Sequence, residues 1–250
     1  MNDLTTLANL LIAAQRDTSL VVPASEFSQL SLGEAEELQD LVKRGLGRRV
    51  PAAKIGLNDQ AGAVAAPIYD TVYKASGEPL ILPKRGAVGI EVEVAVMLNR
   101  DLTFELAQAD DAELLAAVDA FVLVIEPLAT RYDDRTAAGP WGPLADNLVT
   151  GGLVHASDTP LPREHKVDGL ALSVTVDGEV VYSQSARHPF GDVLTPLRAY
   201  AGVTRAGAFS IKAGTLVTTG SLCRNIVPVK STGRVEARLG KDHSVTVEFI

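Results

Sequence analysis

The apolar positions near the start of the chain recur at helical spacing. Leucines every three or four residues predict an amphipathic helix over residues 4–16. Ser31 and Glu34 form the capping-box pattern that starts a second helix, which we expect to end at the glycines that follow it. The apolar faces of these helices are too small to bury a core alone. We therefore predict a helical N-terminal arm over residues 1–50 that packs on the rest of the chain.

After residue 50 the pattern changes to short β-branched runs separated by Gly, Pro and Asp. The runs predict strands over residues 88–98, 121–126, 170–182, 215–219 and 243–250. The Asp177-Gly178 step predicts a tight hairpin turn inside the third run. Helical spacing also predicts two helical insertions, over residues 110–120 and 191–203. The predicted fold class is α+β, with a mainly β body over residues 51–250 that forms one folding unit with the arm.

Three glutamates lie in or at the end of predicted strands. Side chains alternate across a strand, so Glu91 and Glu93 project to one side while Ile90 and Val92 project to the other. Glu126 ends the apolar run 121–126. Carboxylates seated among apolar strands are costly unless they are neutralised, and a hard divalent cation is one solution. The alternative is that the pair forms the solvent face of a half-buried strand.

The relative direction of the two strands decides whether these glutamates can share an ion. If 88–98 and 121–126 were adjacent parallel strands, Glu91 and Glu126 would lie toward opposite ends. A shared site therefore requires antiparallel, offset or non-neighbouring strands, and periodicity alone leaves these alternatives open.

Composition limits the class of protein. The chain has 250 residues, 46% of them hydrophobic, which is enough for a sizeable core. Its net charge of −8 argues against nucleic acid or an anionic membrane as the main partner. A single cysteine, Cys223, and the lack of a signal-peptide pattern favour a reducing, cytoplasmic location. No apolar run is long enough to span a bilayer.

Short motifs spread over nearly the whole chain carry a resemblance to a known family. They are SLGEAEELQ at 31–39, AKIGL at 53–57, IEVE at 90–93, LNRDL at 98–102, Glu126 with Arg131, Ala145-Asp146-Asn147, His188-Pro189, KAGT at 212–215 and TGSL at 219–222. In these motifs the chain resembles the fumarylacetoacetate hydrolase superfamily, specifically its 2-keto-4-pentenoate hydratase and 4-oxalocrotonate decarboxylase branch.

The resemblance implies a metal site, a fold and an assembly. Glu91, Glu93 and Glu126 would hold Mg²⁺ or Mn²⁺, and Lys54 would line the substrate pocket as a catalytic residue. The implied fold is a mixed, β-sandwich-like roll. The implied assembly is a homo-oligomer, with a complex with a related decarboxylase, hydratase or aldolase as a further expectation.

Four more residues are candidates for binding the substrate. Asp70 follows the lysine segment at a family loop position, although Asp is also an ordinary turn residue. Arg131 could pair with a distal substrate carboxylate, or with Asp133 or Asp134 instead. Thr219 and Ser221 follow a strand, where hydroxyls and backbone N–H groups could hold a carboxylate.

The implied activity is that of a metal-dependent lyase. A Lewis-acidic ion that stabilises an enolate supports addition of water to a 2-hydroxy-2,4-dienoate, and it supports loss of CO₂ from a vinylogous 2-oxo dicarboxylate equally well. The superfamily's hydrolase branch uses an N-terminal His–Glu pair, and no histidine precedes Glu91 here. We therefore expect a hydratase, with a decarboxylase as the close alternative and a non-catalytic partner subunit as the second alternative.

Overall fold

The computed structural model describes residues 3–83, 86–162 and 166–250. His165, one of the four histidines in the sequence, lies outside the described residues. Six α-helices fall within these ranges: α1 Leu4–Arg16, α2 Leu32–Leu46, α3 Phe104–Gln108, α4 Asp111–Ala116, α5 Gly142–Ala145 and α6 Leu194–Ala201. The arm helices α1 and α2 match the predicted ones closely, because their capping and apolar spacing are strong local signals.

The capping box at the start of α2 is complete. The backbone N–H of Glu34 donates to the Ser31 hydroxyl, and the Glu34 carboxylate accepts from the Ser31 N–H. Gly47 ends the helix in the left-handed conformation, at φ 62°. The apolar faces of the two helices then pack with residues of the body, including Val64, Tyr132 and Leu144.

The β body consists of two mixed sheets. Its described strands are β1 Ala52–Asn58, β2 Gly62–Ile68, β3 Tyr73–Ala75, β4 Pro79–Leu80, β5 Ala87–Leu98, β6 Val118–Ala129, β7 Leu153–His155, β8 Ala171–Val176, β9 Glu179–Ser185, β10 Leu216–Thr218, β11 Gly233–Leu239 and β12 His243–Phe249. The seven-stranded sheet has the order β2-β1-β10-β5-β6-β7-β3, and the five-stranded sheet has the order β4-β12-β11-β8-β9. Side chains of both sheets share one apolar core, which confirms the predicted α+β roll.

Strands β5 and β6 are antiparallel neighbours, and this settles the question of direction. Glu91 lies directly opposite Glu126, and the regular pairing extends from Gly89 to Met97. A register shift brackets each end of that stretch. At Gly89, φ is 148° and an added Cβ would lie 2.6 Å from the carbonyl oxygen of Val227, so only glycine fits this close approach.

The two faces of the β5–β6 pair have different surroundings. Ile90, Val92 and Val94 of β5 enter the core between the sheets. The glutamates project to the opposite face, where Ala95 and Val124 belong to a smaller apolar cluster. The solvent-face alternative for the pair Glu91 and Glu93 is therefore wrong, because Glu93 is only 1% exposed and the Glu91 side chain 20% exposed. Glu126 is fully buried.

Several elements differ from the sequence expectation. The predicted strands did not include β1, β2 or β11, which are rich in Ala and Gly or interrupted by charges. The predicted helix over residues 110–120 ends at Ala116, and strand β6 begins at Val118. No helix within the described residues combines the length and apolar character needed to cross a membrane.

The division into an arm and a body stays a prediction with a direct test. Residues 1–50 expressed alone are expected to lack cooperative thermal unfolding by circular dichroism, because their apolar faces are buried against the body. Residues 1–250 under the same conditions serve as the control. A cooperative, monomeric transition of the isolated arm would contradict the prediction.

Candidate metal centre and substrate cleft

Three carboxylates converge on the face of the large sheet that lies away from the inter-sheet core. One oxygen each from Glu91, Glu93 and Glu126 lies within 4.8 Å of the others. The cross-strand position of Glu91 and Glu126, and the two-residue spacing of Glu91 and Glu93, produce this arrangement. The structure thus brings together the three residues predicted as metal ligands.

Lys54 reaches the same carboxylates from strand β1. Its Nζ lies 2.9 Å from Glu126 Oε1 and 3.1 Å from Glu91 Oε2. Strand β10 separates β1 from β5, so the lysine side chain extends across one strand to reach Glu91 and across two to reach Glu126 on β6. Lys54 is not an ordinary surface lysine, because its side chain is 14% exposed and paired twice.

The charges in this cluster do not balance. Three carboxylates face one ammonium group, which leaves a formal charge of −2 among largely buried side chains. Burial, together with the carboxylates of Glu126 and Glu91, raises the pKa of Glu93 to about 8. Burial also raises the pKa of Glu126, although Lys54 opposes this effect. Burial alone would lower the pKa of Lys54, but Glu126 and Glu91 outweigh it and hold that pKa above its usual value.

A divalent cation fits this donor set. It carries the charge that the cluster lacks, and carboxylate oxygens are the ligands that Mg²⁺ and Mn²⁺ prefer. Glu126 Oε1 is buried, and its partner among the described residues is the Lys54 ammonium, 2.9 Å away. Glu91, Glu93 and Glu126 would hold the cation.

Glu93 is oriented by the chain segment that follows β10. Its Oε2 accepts from the backbone N–H groups of Thr219, at 2.8 Å, and Gly220, at 2.6 Å. The sequence predicted that this segment could hold a substrate carboxylate, but the carboxylate it holds is that of Glu93. The Thr219 hydroxyl is also committed, since it donates to the Val94 carbonyl at 2.8 Å and is fully buried. Thr219 therefore positions a candidate metal ligand, and its predicted contact with substrate has no support in this geometry.

His188 contacts the same segment through the Thr219 side chain. Its Nε2 lies 3.3 Å from the Thr219 hydroxyl, whose proton goes to Val94, so Nε2 carries the hydrogen and donates. Nδ1 then accepts from the N–H of Phe190. Burial lowers the pKa of His188 to about 4, and the ring is neutral near pH 7. His188 fixes the position of Thr219, and the His188-Pro189 motif is the sequence signal of this role.

A cleft of about 700 Å³ opens beside the carboxylates. Its volume is within the range of small-molecule sites. The lining includes Lys54, Glu91, Glu93, Ser221 and Arg224. Of the predicted substrate-binding residues, Ser221 alone belongs to this described lining, and its hydroxyl accepts from the N–H of Cys223 at 3.3 Å.

Arg131 lies outside that cleft and is engaged by the protein. Its guanidinium pairs with Asp146 at 3.2 Å and donates to the carbonyl of Thr150 at 2.7 Å and to the carbonyl of Ala129. The alternative partners Asp133 and Asp134 are therefore wrong, because the partner is Asp146. Arg131 lines a much smaller cavity of about 60 Å³, and its role in substrate binding stays a prediction.

Asp70 also lies away from the carboxylates. It begins a short 3₁₀ turn, and its carboxylate pairs with the exposed Arg49 at 3.2 Å. This placement agrees with the turn interpretation. Its assignment to substrate binding stays a prediction without a supporting contact.

One feature next to the site has no signal in the sequence pattern. Asn147, Leu148 and Val149 are consecutive residues with positive φ, at 51°, 52° and 63°. Such values are costly for a β-branched residue such as Val149 and are typical of functional segments. The side-chain amide of Asn147 and the hydroxyl of Tyr69 are buried and line the small cavity beside Arg131.

Comparisons with known proteins agree with this geometry. The sequence model described as Fumarylacetoacetate (FAA) hydrolase C-terminal matches residues 41–248. A 2-keto-4-pentenoate hydratase from Burkholderia vietnamiensis is 28% identical over 86% of this chain and 83% of its own length. Another, from Paraburkholderia phymatum, is 26% identical over 99% of this chain and 98% of its own length.

The fold also has solved counterparts. The 4-oxalocrotonate decarboxylase from Pseudomonas putida G7, complexed with magnesium and adipate, has a TM-score of 0.78 at 20% identity, over 99% of this chain and 97% of its own. The same enzyme complexed with calcium and acetate has a TM-score of 0.74 at 19% identity, over 99% and 97%.

Glu93→Gln is expected to weaken Mg²⁺ binding on the order of 10–100-fold, measured by isothermal titration calorimetry. The amide oxygen still accepts from Thr219 and Gly220, so the change removes charge with little effect on packing. Glu248→Gln, an exposed position on β12, is the matched control. Unchanged affinity in Glu93→Gln would remove Glu93 from the set of ligands.

Lys54→Met is expected to destabilise the metal-free protein by about 3 kcal/mol, because it leaves buried carboxylates without a counter-charge. Saturating Mg²⁺ should reduce the loss. Urea unfolding with chelator and with Mg²⁺ measures both values, and Lys212→Met, which breaks an exposed pair with Asp101, is the control. An equal loss in the two conditions would show that Lys54 and the cation do not share the carboxylates.

Proposed function

Because the chain belongs to the fumarylacetoacetate hydrolase family, we propose that it is a divalent-metal-dependent hydro-lyase acting on a 2-hydroxy-2,4-dienoate. The product would be a 4-hydroxy-2-oxo acid, formed in the breakdown of aromatic compounds. The relatives indicate an enzyme of lyase type. The substrate and the reaction are the proposal.

One observation carries the proposal: two buried carboxylates, a third that is half-buried, and an ammonium group meet beside an open cleft. A structural cluster would not need three carboxylates against one cation, since burying charges without compensation is destabilising. An enzyme that binds a divalent cation and an anionic substrate uses all four groups. The two hydratases among the relatives support the choice of reaction.

The proposed reaction moves two protons and adds one water. The 2-hydroxy group loses its proton and C5 gains one, which gives a 2-oxo-3-enoate. Water then adds its hydroxyl to C4 and a proton reaches C3. The cation, Mg²⁺ or Mn²⁺, supplies Lewis-acid stabilisation of the enolate when bound.

Lys54 is the candidate for handling these protons. Its Nζ lies at the carboxylates, and its side chain lines the cleft, so an ammonium proton is available at the position where the substrate's 2-oxo acid end would bind. The same ammonium can orient the substrate carboxylate. The backbone N–H groups of Thr219 and Gly220 hold Glu93 in place while Lys54 moves between the carboxylates and the substrate.

The decarboxylase remains the second candidate. The 4-oxalocrotonate decarboxylase fold match supports it, and loss of CO₂ from a vinylogous 2-oxo dicarboxylate needs the same enolate stabilisation. A non-catalytic partner subunit is disfavoured by the enzyme relatives and by the retained carboxylates. We further propose a cytoplasmic homo-oligomer that binds a small 2-oxo or 2-hydroxy-dienoic acid and associates with a related decarboxylase, hydratase or aldolase.

Incubation of the purified chain with Mg²⁺ and a panel of 2-hydroxy-2,4-dienoates, followed by mass spectrometry, tests the proposal. Gain of one water is expected, loss of CO₂ would favour the decarboxylase, and no turnover of any substrate would contradict both.

Lys54→Ala should lower kcat on the order of 100-fold or more without weakening Mg²⁺ binding. Lys54→Arg should not restore it fully, since a guanidinium holds its proton more tightly than an ammonium group does. The exposed Lys241→Ala is the control.

A further inference from the structure

A bulged loop covers the side of the cleft next to β5. Ser221 bridges to Glu93 and Val227 bridges to Ile90, both in antiparallel fashion. The loop therefore advances six residues while β5 advances three, and the surplus has to bulge away from the strand. Glu91 lies between the two bridged positions of β5. The crest of the loop thus stands beside the candidate metal centre.

Arg224 lies at this crest and lines the cleft. It is exposed, and no hydrogen bond or ion pair engages its guanidinium within the described residues. Its backbone N–H donates to the hydroxyl of Tyr182 at 3.2 Å, which ties the crest to β9. The loop is thus anchored at its middle, while the charged end of Arg224 stays unpaired.

Two other arginines of the described structure have carboxylate partners. Arg131 pairs with Asp146, and Arg205 pairs with Glu36 at 2.9 Å. Lys54, the other cation of the described cleft lining, is held by Glu91 and Glu126. Arg224 is therefore the cation of this lining whose charge the described protein does not use.

We propose that Arg224 binds a terminal carboxylate of the substrate, so that the enzyme acts on a 2-hydroxy-dienedioate with an acid group at each end. This inference rests on the proposed function, which places the 2-oxo acid end at Glu91, Glu93, Glu126 and Lys54. A guanidinium matches a carboxylate through two parallel hydrogen bonds, so Arg224 selects for this group more sharply than a lysine would.

The same contact bears on the choice between hydration and decarboxylation. A guanidinium stabilises a carboxylate, and that stabilisation is lost as the carboxylate becomes CO₂. Interactions that are weaker in the transition state than in the ground state slow a reaction. Addition of water leaves the terminal carboxylate intact. Arg224 is therefore compatible with hydration and works against loss of the group it holds.

A matched pair of substrates tests this role. 2-Hydroxyhepta-2,4-dienoate and its 1,7-dioate differ in the terminal group alone. The wild type with Mg²⁺ should prefer the dioate in kcat/KM, and Arg224→Ala should lower that preference on the order of 10–100-fold, mainly through KM. Arg224→Lys should recover part of it. Arg234→Ala, an exposed arginine on β11, should keep the wild-type preference. An unchanged ratio in Arg224→Ala would overturn the assignment.

Binding of an unreactive pair separates this inference from the proposed function. Calorimetry with Mg²⁺ and either 2-oxoheptanedioate or 2-oxoheptanoate reports on Arg224 without turnover. A preference for the dioate that Arg224→Ala abolishes would support the assignment even if neither dienoate were hydrated, in which case the proposed reaction would fail. Equal binding of both acids by wild type and variant would overturn the role of Arg224 and leave the reaction to be judged by turnover.

Discussion

Glu91 on β5 lies directly opposite Glu126 on β6, and this cross-strand pair of like charges sets the conditions for its surroundings. Like charges in that relation destabilise a sheet. Glu93, two residues along, adds a third carboxylate to the same face. The pair is tolerable because Lys54 reaches both carboxylates from β1, and a divalent cation held by the three carboxylates would complete the compensation. The need for positive charge thus belongs to the strand pairing, before any substrate is considered.

Different groups around the carboxylates supply positive charge and fix their orientation. Lys54 supplies charge to Glu91 and Glu126. Glu93 instead receives two backbone N–H groups from the segment after β10, which in turn is braced by His188. Hydrogen bonds from the backbone have fixed directions, so the position of Glu93 does not depend on Lys54.

The sequence was sufficient where a local pattern determined the structure. The alternation around Glu91 predicted β5 and the common face of Glu91 and Glu93, and the capping box predicted α2. The direction of β6 relative to β5 depends on pairing between distant segments, which periodicity does not encode. Strands β1 and β2 were missed because Ala and Gly carry little strand preference. The true partner of Arg131, Asp146, and the positioning role of Thr219 depend on tertiary contacts of the same kind.

Strands β5 and β6 tolerate a change in length less well than the loop that carries Arg224. A one-residue insertion in either strand would turn its glutamates into the apolar core between the sheets, because successive side chains alternate between faces. The loop between Ser221 and Val227 is bridged to β5 at both ends, and the residues at its crest do not pair with the strand. A change in the length of the crest therefore does not turn the side chains of β5 to the other face. Such a change would reshape the cleft and leave the carboxylates in place, whereas a one-residue change in either strand would displace them.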